Sequence, residues 1–164
     1  MSVAAIQKQL AVSSVDKVDL PAYLTQLCDS IGASMIHDHD QIALVVHSDP
    51  SRVSANISVS IGLVVTELVI NALKHAFPDG RRGKILVRYE SSGAGWILSV
   101  ADDGVGMPRE PGDAQAGLGT NIVQALAKQL EARIIVSNDD PGTTVSLEKV
   151  RGSALRTHEA LQAV

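Results

Sequence analysis

Aromatic residues and cysteines are scarce in this sequence. Only 2% of its 164 residues are Phe, Trp or Tyr, so the core must be built from Val, Ile, Leu and Ala. The single cysteine, Cys28, excludes an internal disulfide and a cysteine-based metal site. Its position in an apolar helical pattern indicates an inert, buried thiol.

Several other common signals are missing as well. No apolar run reaches the roughly 18 residues needed to cross a bilayer, and the start is not a signal peptide. We therefore expect a cytoplasmic domain without membrane contact of its own. The net charge of -4 disfavours a broad nucleic-acid-binding surface. There is no Walker-type phosphate loop, so a nucleotide site must be built another way.

The hydrophobic pattern predicts one α/β domain, and the length fits one domain with a real core. Asp19 can cap a helix whose first turn contains Pro21. Further helices are predicted over residues 56–77 and 120–130, and strands over residues 42–46, 84–89, 96–101, 133–136 and 143–147. This order predicts a two-layer sandwich, with a mixed, mostly antiparallel sheet and helices packed on one face.

Domain boundaries follow from the same pattern. Residues 19–150 form the expected domain, and residues 151–164 form a polar tail. Residues 1–18 precede the domain, and residues 4–12 among them have the apolar spacing of the end of a helix.

The predicted central helix carries a polar stripe. Glu67 and Asn71 share one helical face with Lys74 and His75. Such a stripe on an otherwise apolar helix is costly unless its members have partners. It is either a solvated surface or a metal–phosphate face, in which the asparagine oxygen suits Mg²⁺ and the lysine supplies a charge for phosphates.

A second polar stretch, residues 102–106, follows a predicted strand. A carboxylate held at a strand end, here Asp102, can accept a hydrogen bond from the 6-amino group of adenine. Gly104 and Gly106 would let the backbone pass close to a nucleotide. An ordinary turn at the end of a strand is the alternative.

Two more glycine-containing stretches open secondary-structure elements. Residues 117–121 lead into a helix, whose free N–H groups can face a phosphate. Thr143 follows Gly142 at the start of the last strand and is a candidate polar contact. A plain loop-to-helix junction and an ordinary strand threonine are the respective alternatives.

In this order and spacing, these stretches resemble the asparagine-containing box, the two glycine boxes and the closing Gly-Thr of the gyrase/Hsp90/histidine kinase/MutL superfamily. The resemblance covers residues 19–150. Residues 67–78 look like sensor histidine kinases of the class related to the HWE kinases. Residues 18–28 look like the link from the dimerisation helices of such kinases, which makes residues 1–18 the end of a dimerisation helix and its linker.

The resemblance implies a Bergerat-type ATP-binding fold with ATP and Mg²⁺ as cofactors. Asp102 would bind the adenine amino group, with Thr143 supporting it through water. Asn71 would ligate Mg²⁺, and Glu67 would orient a metal-bound water or the phosphate acceptor.

Other residues would contact the phosphates or shape the pocket. Lys74 and His75 would lie along the phosphates. Residues 107–116 would form a lid over the nucleotide. The residues expected to shape the pocket floor and to close the lid are Gly104, Gly106, Gly117, Leu118, Gly119 and Thr120.

The sequence departs from the family pattern in three places. The expected lid contains no Phe, and Trp96 lacks the Trp-x-Glu pattern of strict HWE members. None of the five histidines has the context of a phosphoacceptor on a dimerisation helix. His37 and His39 lie in a His-Asp-His-Asp turn, which is either solvated or an incidental metal site.

The resemblance therefore implies a catalytic domain that donates the γ-phosphate of ATP to a histidine on a dimerisation domain outside this chain. That domain would pass the phosphate to a response regulator, and the full-length kinase would be a homodimer. Two active alternatives are a stand-alone anti-sigma-factor serine kinase and an ATP-gated clamp ATPase module. A binding module with a decayed site fits less well, because every expected polar position is filled.

Overall fold

The computed structural model describes residues 17–106 and 118–150. Within these residues three α-helices and seven strands follow one another along the chain. They are β1 (Lys17–Asp19), α1 (Leu20–Met35), β2 (Ile42–Ser48), β3 (Arg52–Ser54), α2 (Ala55–His75), β4 (Gly83–Ser92), β5 (Gly95–Asp102), α3 (Leu118–Gln129), β6 (Arg133–Asn138) and β7 (Thr143–Lys149). A short 3₁₀ turn, Pro78–Gly80, separates α2 from β4.

Five strands form the main sheet, in the order β2-β4-β5-β7-β6. The β2–β4 pair is parallel, and the other three pairs are antiparallel. Alternate residues of β4 and β5 are buried, as expected for strands with one covered face. The predicted α/β sandwich with a mixed, mostly antiparallel sheet is confirmed.

The helices cover one face of this sheet. Leu20 and Leu24 of α1, Ile61 and Val65 of α2, and Val123 of α3 belong to the same core cluster as the buried strand residues. The opposite face carries exposed residues of β4 such as Lys84, Arg88 and Glu90. Burial of aliphatic side chains between the two layers stabilises the fold by roughly 25 cal/mol per Å² of apolar surface.

Local signals set the helix starts. Asp19 caps α1 by accepting a hydrogen bond from the Ala22 N–H at 3.3 Å, and Pro21 lies in the first turn as expected. Ser54 caps α2 in the same way through the Ile57 N–H at 3.3 Å. The helix predicted over residues 56–77 ends at His75, so Phe77 is buried beyond the helix rather than within it.

The sequence analysis did not predict two short strands. β1 and β3 pair antiparallel in a separate two-stranded sheet, with Lys17 opposite Ser54 and Asp19 opposite Arg52. Three residues are too few for hydrophobic alternation to show. The helix predicted over residues 4–12 and the tail from residue 151 lie outside the described residues.

Helix α2 corrects one expectation about membrane-spanning segments. It has 21 residues and contains an 18-residue stretch with a mean hydropathy of 1.7, which is long and apolar enough to cross a membrane by length and composition. Half of that stretch is buried inside the domain, where α2 serves as the central core helix. The expectation that no segment is long and apolar enough to cross a bilayer was wrong. Small residues between the aliphatic ones interrupt an apolar run in the sequence, but the helix that contains them is still apolar on average.

Candidate functional site

Asp102 lies at the end of β5, in register with Ile85 of β4 and Thr143 of β7. The Gly104 N–H donates a hydrogen bond to Asp102 Oδ1 at 3.0 Å. This backbone donor fixes the side chain at the sheet end, beside the Thr143 backbone at the start of β7, where the sequence places the adenine contact.

The pKa of Asp102 is raised above its ordinary value of 3.8. Burial is the largest cause, nearby backbone N–H groups oppose it, and the Asp103 and Asp139 carboxylates raise it further. An ionised carboxylate offers about four lone-pair positions. Those left over by the backbone donors are available to a ligand, and a ligand N–H there would offset part of the desolvation.

Two glycines allow the chain to close around Asp102. A Cβ on Gly104 would overlap the Ala76 carbonyl, and a Cβ on Gly142 would overlap the Asp102 carbonyl. Gly142 also has φ +104°, which side-chain-bearing residues rarely adopt. The sequence analysis singled out Gly104 for a close approach to the nucleotide, whereas the close approach in the structure is to Ala76. Gly142 was noted only as the residue before Thr143.

The polar end of α2 is joined to the same loop. The Val105 N–H donates to the Ala76 carbonyl at 2.9 Å, one residue beyond the last turn of α2. Lys74 and His75 occupy that last turn and are exposed. Glu67 and Asn71, on the same helical face, are partly exposed. The structure thus brings the two polar stretches of the sequence to one end of the sheet.

The residues present fit a magnesium ion that shares its ligands with phosphate. Within residues 17–106 and 118–150 no three His, Cys, Asp or Glu side chains group into a metal site. Mg²⁺ keeps several waters and takes only one or two protein oxygens beside substrate phosphates. Asn71 and Glu67, one helical turn apart, offer an amide and a carboxylate oxygen of that kind.

The structure links the remaining predicted site residues less directly to Asp102. Gly106 has φ +82° and approaches Asn138, which pairs with Thr143 across the β6–β7 ladder. Leu118, Gly119 and Thr120 form the first turn of α3, which begins two residues earlier than predicted. Gly117 and the predicted lid, residues 107–116, lie outside the described residues. His37, His39 and the two aspartates beside them are exposed, as a solvated turn would be.

Sequence reasoning missed the structural role of Asp103. Its Oδ1 accepts a hydrogen bond from the Lys84 N–H at 2.7 Å, which ties the loop to the start of β4. A Cβ on the adjoining Gly83 would overlap Phe77 and approach Asp103 Oδ1 to 2.6 Å. The two neighbouring carboxylates therefore have different roles, because Asp103 holds the loop and Asp102 remains available to a ligand. Nothing in the local pattern distinguishes these two roles.

Comparison with known proteins identifies the family. Residues 56–152 match the family described as histidine kinase-, DNA gyrase B- and HSP90-like ATPases. Over 141 residues the chain is 33% identical to blue-light-activated histidine kinase 2 of Erythrobacter litoralis, covering 84% of this chain and 40% of that protein. It is 30% identical over 131 residues to the sensor histidine kinase PdtaS of Mycobacterium tuberculosis, covering 76% and 25%. The chain thus spans less than half the length of these relatives.

Solved structures agree with this assignment. The histidine kinase domain of a blue-light-activated histidine kinase from Erythrobacter litoralis has a TM-score of 0.73 and 32% identity, covering 82% of this chain and 67% of that one. The Acinetobacter baumannii histidine kinase AdeS, at 20% identity, shares the fold with a TM-score of 0.65 over 81% and 65% of the two chains. Membership in an ATPase family implies ATP as the ligand, and the predicted resemblance is confirmed. The chain belongs to the histidine kinase-, DNA gyrase B- and HSP90-like ATPases, as a catalytic domain of the histidine kinase type.

Proposed function

We propose that this chain binds ATP together with Mg²⁺ and donates the γ-phosphate to a histidine on a dimerisation domain outside it. The observation that carries the proposal is the hydrogen bond from Val105 to Ala76, which holds the Asp102 loop against the polar end of α2. A group that recognises adenine and groups suited to phosphate are thereby kept at one end of the sheet.

Each residue has a task that its position supports. Asp102 accepts a hydrogen bond from the adenine amino group through its remaining lone pairs, and Thr143 supports this contact through water. Lys74 and His75, exposed in the last turn of α2, lie along the phosphates. Phosphoryl transfer depends mainly on positioning and on charge neutralisation, so no covalent step on this chain is required.

Asn71 would hold the metal ion, and Glu67 would orient a water on it or the incoming acceptor. When bound, Mg²⁺ neutralises charge on the phosphates that Asn71 helps to align. The first-turn N–H groups of α3 lack partners within the helix, and they can donate hydrogen bonds to a phosphate. Gly104 and Gly106 shape the pocket floor, and Gly117 to Thr120 close the lid formed by residues 107–116.

The surrounding domains complete the proposal. Residues 1–18 are the end of a dimerisation helix and its linker, residues 19–150 form the catalytic domain, and residues 151–164 are a polar tail. The pairing of Lys17 and Val18 with β3 favours starting the catalytic domain at residue 17. A response regulator then receives the phosphate, and the complete kinase is a cytoplasmic homodimer. Both named relatives are histidine kinases, which favours this function over a serine kinase or a clamp ATPase.

The test is phosphorylation in trans. The chain, labelled ATP and Mg²⁺ are mixed with a separately produced dimerisation segment that carries an acceptor histidine. We expect acid-labile, alkali-stable phosphate on the segment, none on the chain alone, and none with Asn71→Ala. Lys128→Gln, at the far end of α3, is the matched control and should retain transfer. Labelling of a histidine in the isolated chain, or transfer to a serine of an antagonist protein, would contradict the proposal.

A further inference from the structure

A second cleft lies at the opposite end of the sheet from Asp102. Strands β4 and β5 run between the two sites, because β5 begins at Gly95 beside the cleft and ends at Asp102. The cleft has a volume of about 430 Å³ and is bounded by the β1–β3 pair, the start of α2, the turn between β4 and β5 and the end of β7. We refer to it as the basic cleft.

The charged residues that line the basic cleft are all cations. They are Lys17, Arg52 and Lys149. This reverses the sign of the chain as a whole, which carries 18 acidic and 14 basic residues. The ion pairs between described residues are Arg88–Glu90 and Arg133–Glu148, so none of the three cations forms an ion pair with a described carboxylate. Two carboxylates lie beside the cleft without lining it, because Asp19 is opposite Arg52 in the β1–β3 pair and Asp49 accepts a hydrogen bond from the Ser91 N–H at 3.0 Å. The first turn of α2, with Ser54 and Ile57 in the lining, adds the positive end of a helix dipole.

The floor of the basic cleft is largely apolar and buried. Tyr89 and Trp96 stack with ring centroids 6.0 Å apart and an interplanar angle of 29°. The Tyr89 hydroxyl lies 3.5 Å from the Ser51 hydroxyl, which also lines the cleft. Both rings are largely buried, so they support the cleft rather than offer a face for stacking. Partly buried Val53 and Ile57 complete the floor.

The neighbouring segments of the chain do not complement this charge. Residues 1–16 contain one lysine and one aspartate, and residues 151–164 contain two arginines and one glutamate. Neither segment is acidic, although both adjoin residues of the cleft. The complementary occupant carries several carboxylates, together with apolar side chains for the floor.

We propose that the basic cleft docks an acidic segment of a partner protein, at a site separate from the nucleotide end. Arg52 is held for this role, because its guanidinium donates to the Lys17 carbonyl at 3.3 Å across the β1–β3 pair. A cation fixed by the backbone loses less side-chain entropy when it binds a carboxylate.

The experiment uses the full chain and its single tryptophan. A dye-labelled, terminally blocked peptide of alternating glutamate and leucine is titrated with the protein, and both peptide anisotropy and Trp96 emission are recorded. We expect saturable binding that changes Trp96 emission and weakens with added salt. The same peptide with glutamine in place of glutamate should bind at least several-fold more weakly.

Charge-matched variants locate the binding. Lys17→Gln combined with Arg52→Gln and Lys149→Gln should weaken the peptide roughly tenfold, since each exposed pair contributes modestly. Lys84→Gln combined with Arg88→Gln and Lys128→Gln removes the same charge elsewhere and should have little effect. Circular dichroism of both triple variants confirms that they are folded.

Three results would overturn the proposal. The first is the absence of binding at low salt. The second is failure of either charge control, namely equal binding of the glutamine peptide or equal loss of affinity in the two triple variants. The third is full displacement of the peptide by inorganic phosphate, at the concentration at which phosphate alone shifts Trp96 emission. In that case the cleft is a simple anion site.

Discussion

The two ends of strands β4 and β5 are built from opposite chemistry. At one end Asp102, Asp103 and Asp139 gather around close-approaching glycines, and a carboxylate keeps a raised pKa. At the other end Tyr89 and Trp96 stack under a rim of cations. One sheet thus separates two roles, because its aromatic end buries Tyr89 and Trp96 while its acidic end leaves lone pairs on Asp102 for a ligand.

The largest expected effect is on stability at the aromatic end. Trp96→Ala removes a large buried side chain and should lower the free energy of unfolding by about 3–5 kcal/mol. Urea denaturation measures this loss, and calorimetric titration of the folded variant with ADP should give the wild-type affinity. Trp96→Phe, which keeps an aromatic ring, is the milder control. A loss of ADP affinity that parallels the loss of stability would show that the two ends are not separate.

Gly104→Ala should affect the acidic end in both stability and binding. The added Cβ overlaps the Ala76 carbonyl, so the loop or α2 must shift at a cost of about 1–3 kcal/mol. Because this contact joins Asp102 to α2, nucleotide affinity should fall as well. Gly93→Ala is the matched control in the β4–β5 turn, where φ is +59° and the space is open. It should cost roughly 1 kcal/mol through backbone strain and leave ADP affinity unchanged.

Asp102→Asn should affect binding alone. The amide keeps the shape but presents an NH₂ group where the adenine donor needs an acceptor, which costs about 1–3 kcal/mol. That corresponds to a roughly ten- to hundredfold loss of ADP affinity in calorimetric titration. The melting temperature without nucleotide should not fall, because the variant removes a desolvated charge. An unchanged affinity would remove Asp102 from the adenine site.

The smallest expected effect is a pH dependence of stability. The pKa of Asp102 is raised in the folded state above its ordinary value of 3.8. The protonated carboxyl is therefore favoured by folding, and its contribution is fully present below 3.8 and is lost as pH rises through the raised pKa. The free energy of unfolding of the wild-type chain, relative to that of Asp102→Asn, should fall as pH rises from 3.8 through the raised pKa of Asp102. At higher pH the difference should stay constant. Urea denaturation at a series of pH values measures the difference, and an opposite slope would contradict the raised pKa.

Much of the fold could be predicted because local signals and tertiary structure agree. Asp19 and Pro21 mark the start of α1, and alternation marks β4 and β5. The β1–β3 pair could not be predicted, because strands of three residues show no period. The end of α2 at His75 was set two residues too late, since a buried Phe77 continues the apolar pattern after the helix stops.

The candidate site was predicted only as separate stretches. Asn71, Asp102 and Thr143 were singled out by residue type, spacing and family resemblance. The hydrogen bond from Val105 to Ala76, which brings two of these stretches together, depends on tertiary packing and leaves no mark in the local sequence. The same is true of Gly142, whose need for glycine arises from the Asp102 carbonyl against it.

Backbone amide chemical shifts, recorded with and without ADP and Mg²⁺, test the central claim most directly. If the acidic end is the nucleotide site, the largest shifts will fall on residues 102–106, on Gly142 and Thr143, and on the last turn of α2. Residues 91–96 and the β1–β3 pair, at the aromatic end of the same strands, should remain nearly unchanged. Shifts that are largest around Trp96, or equally large at both ends, would contradict the account.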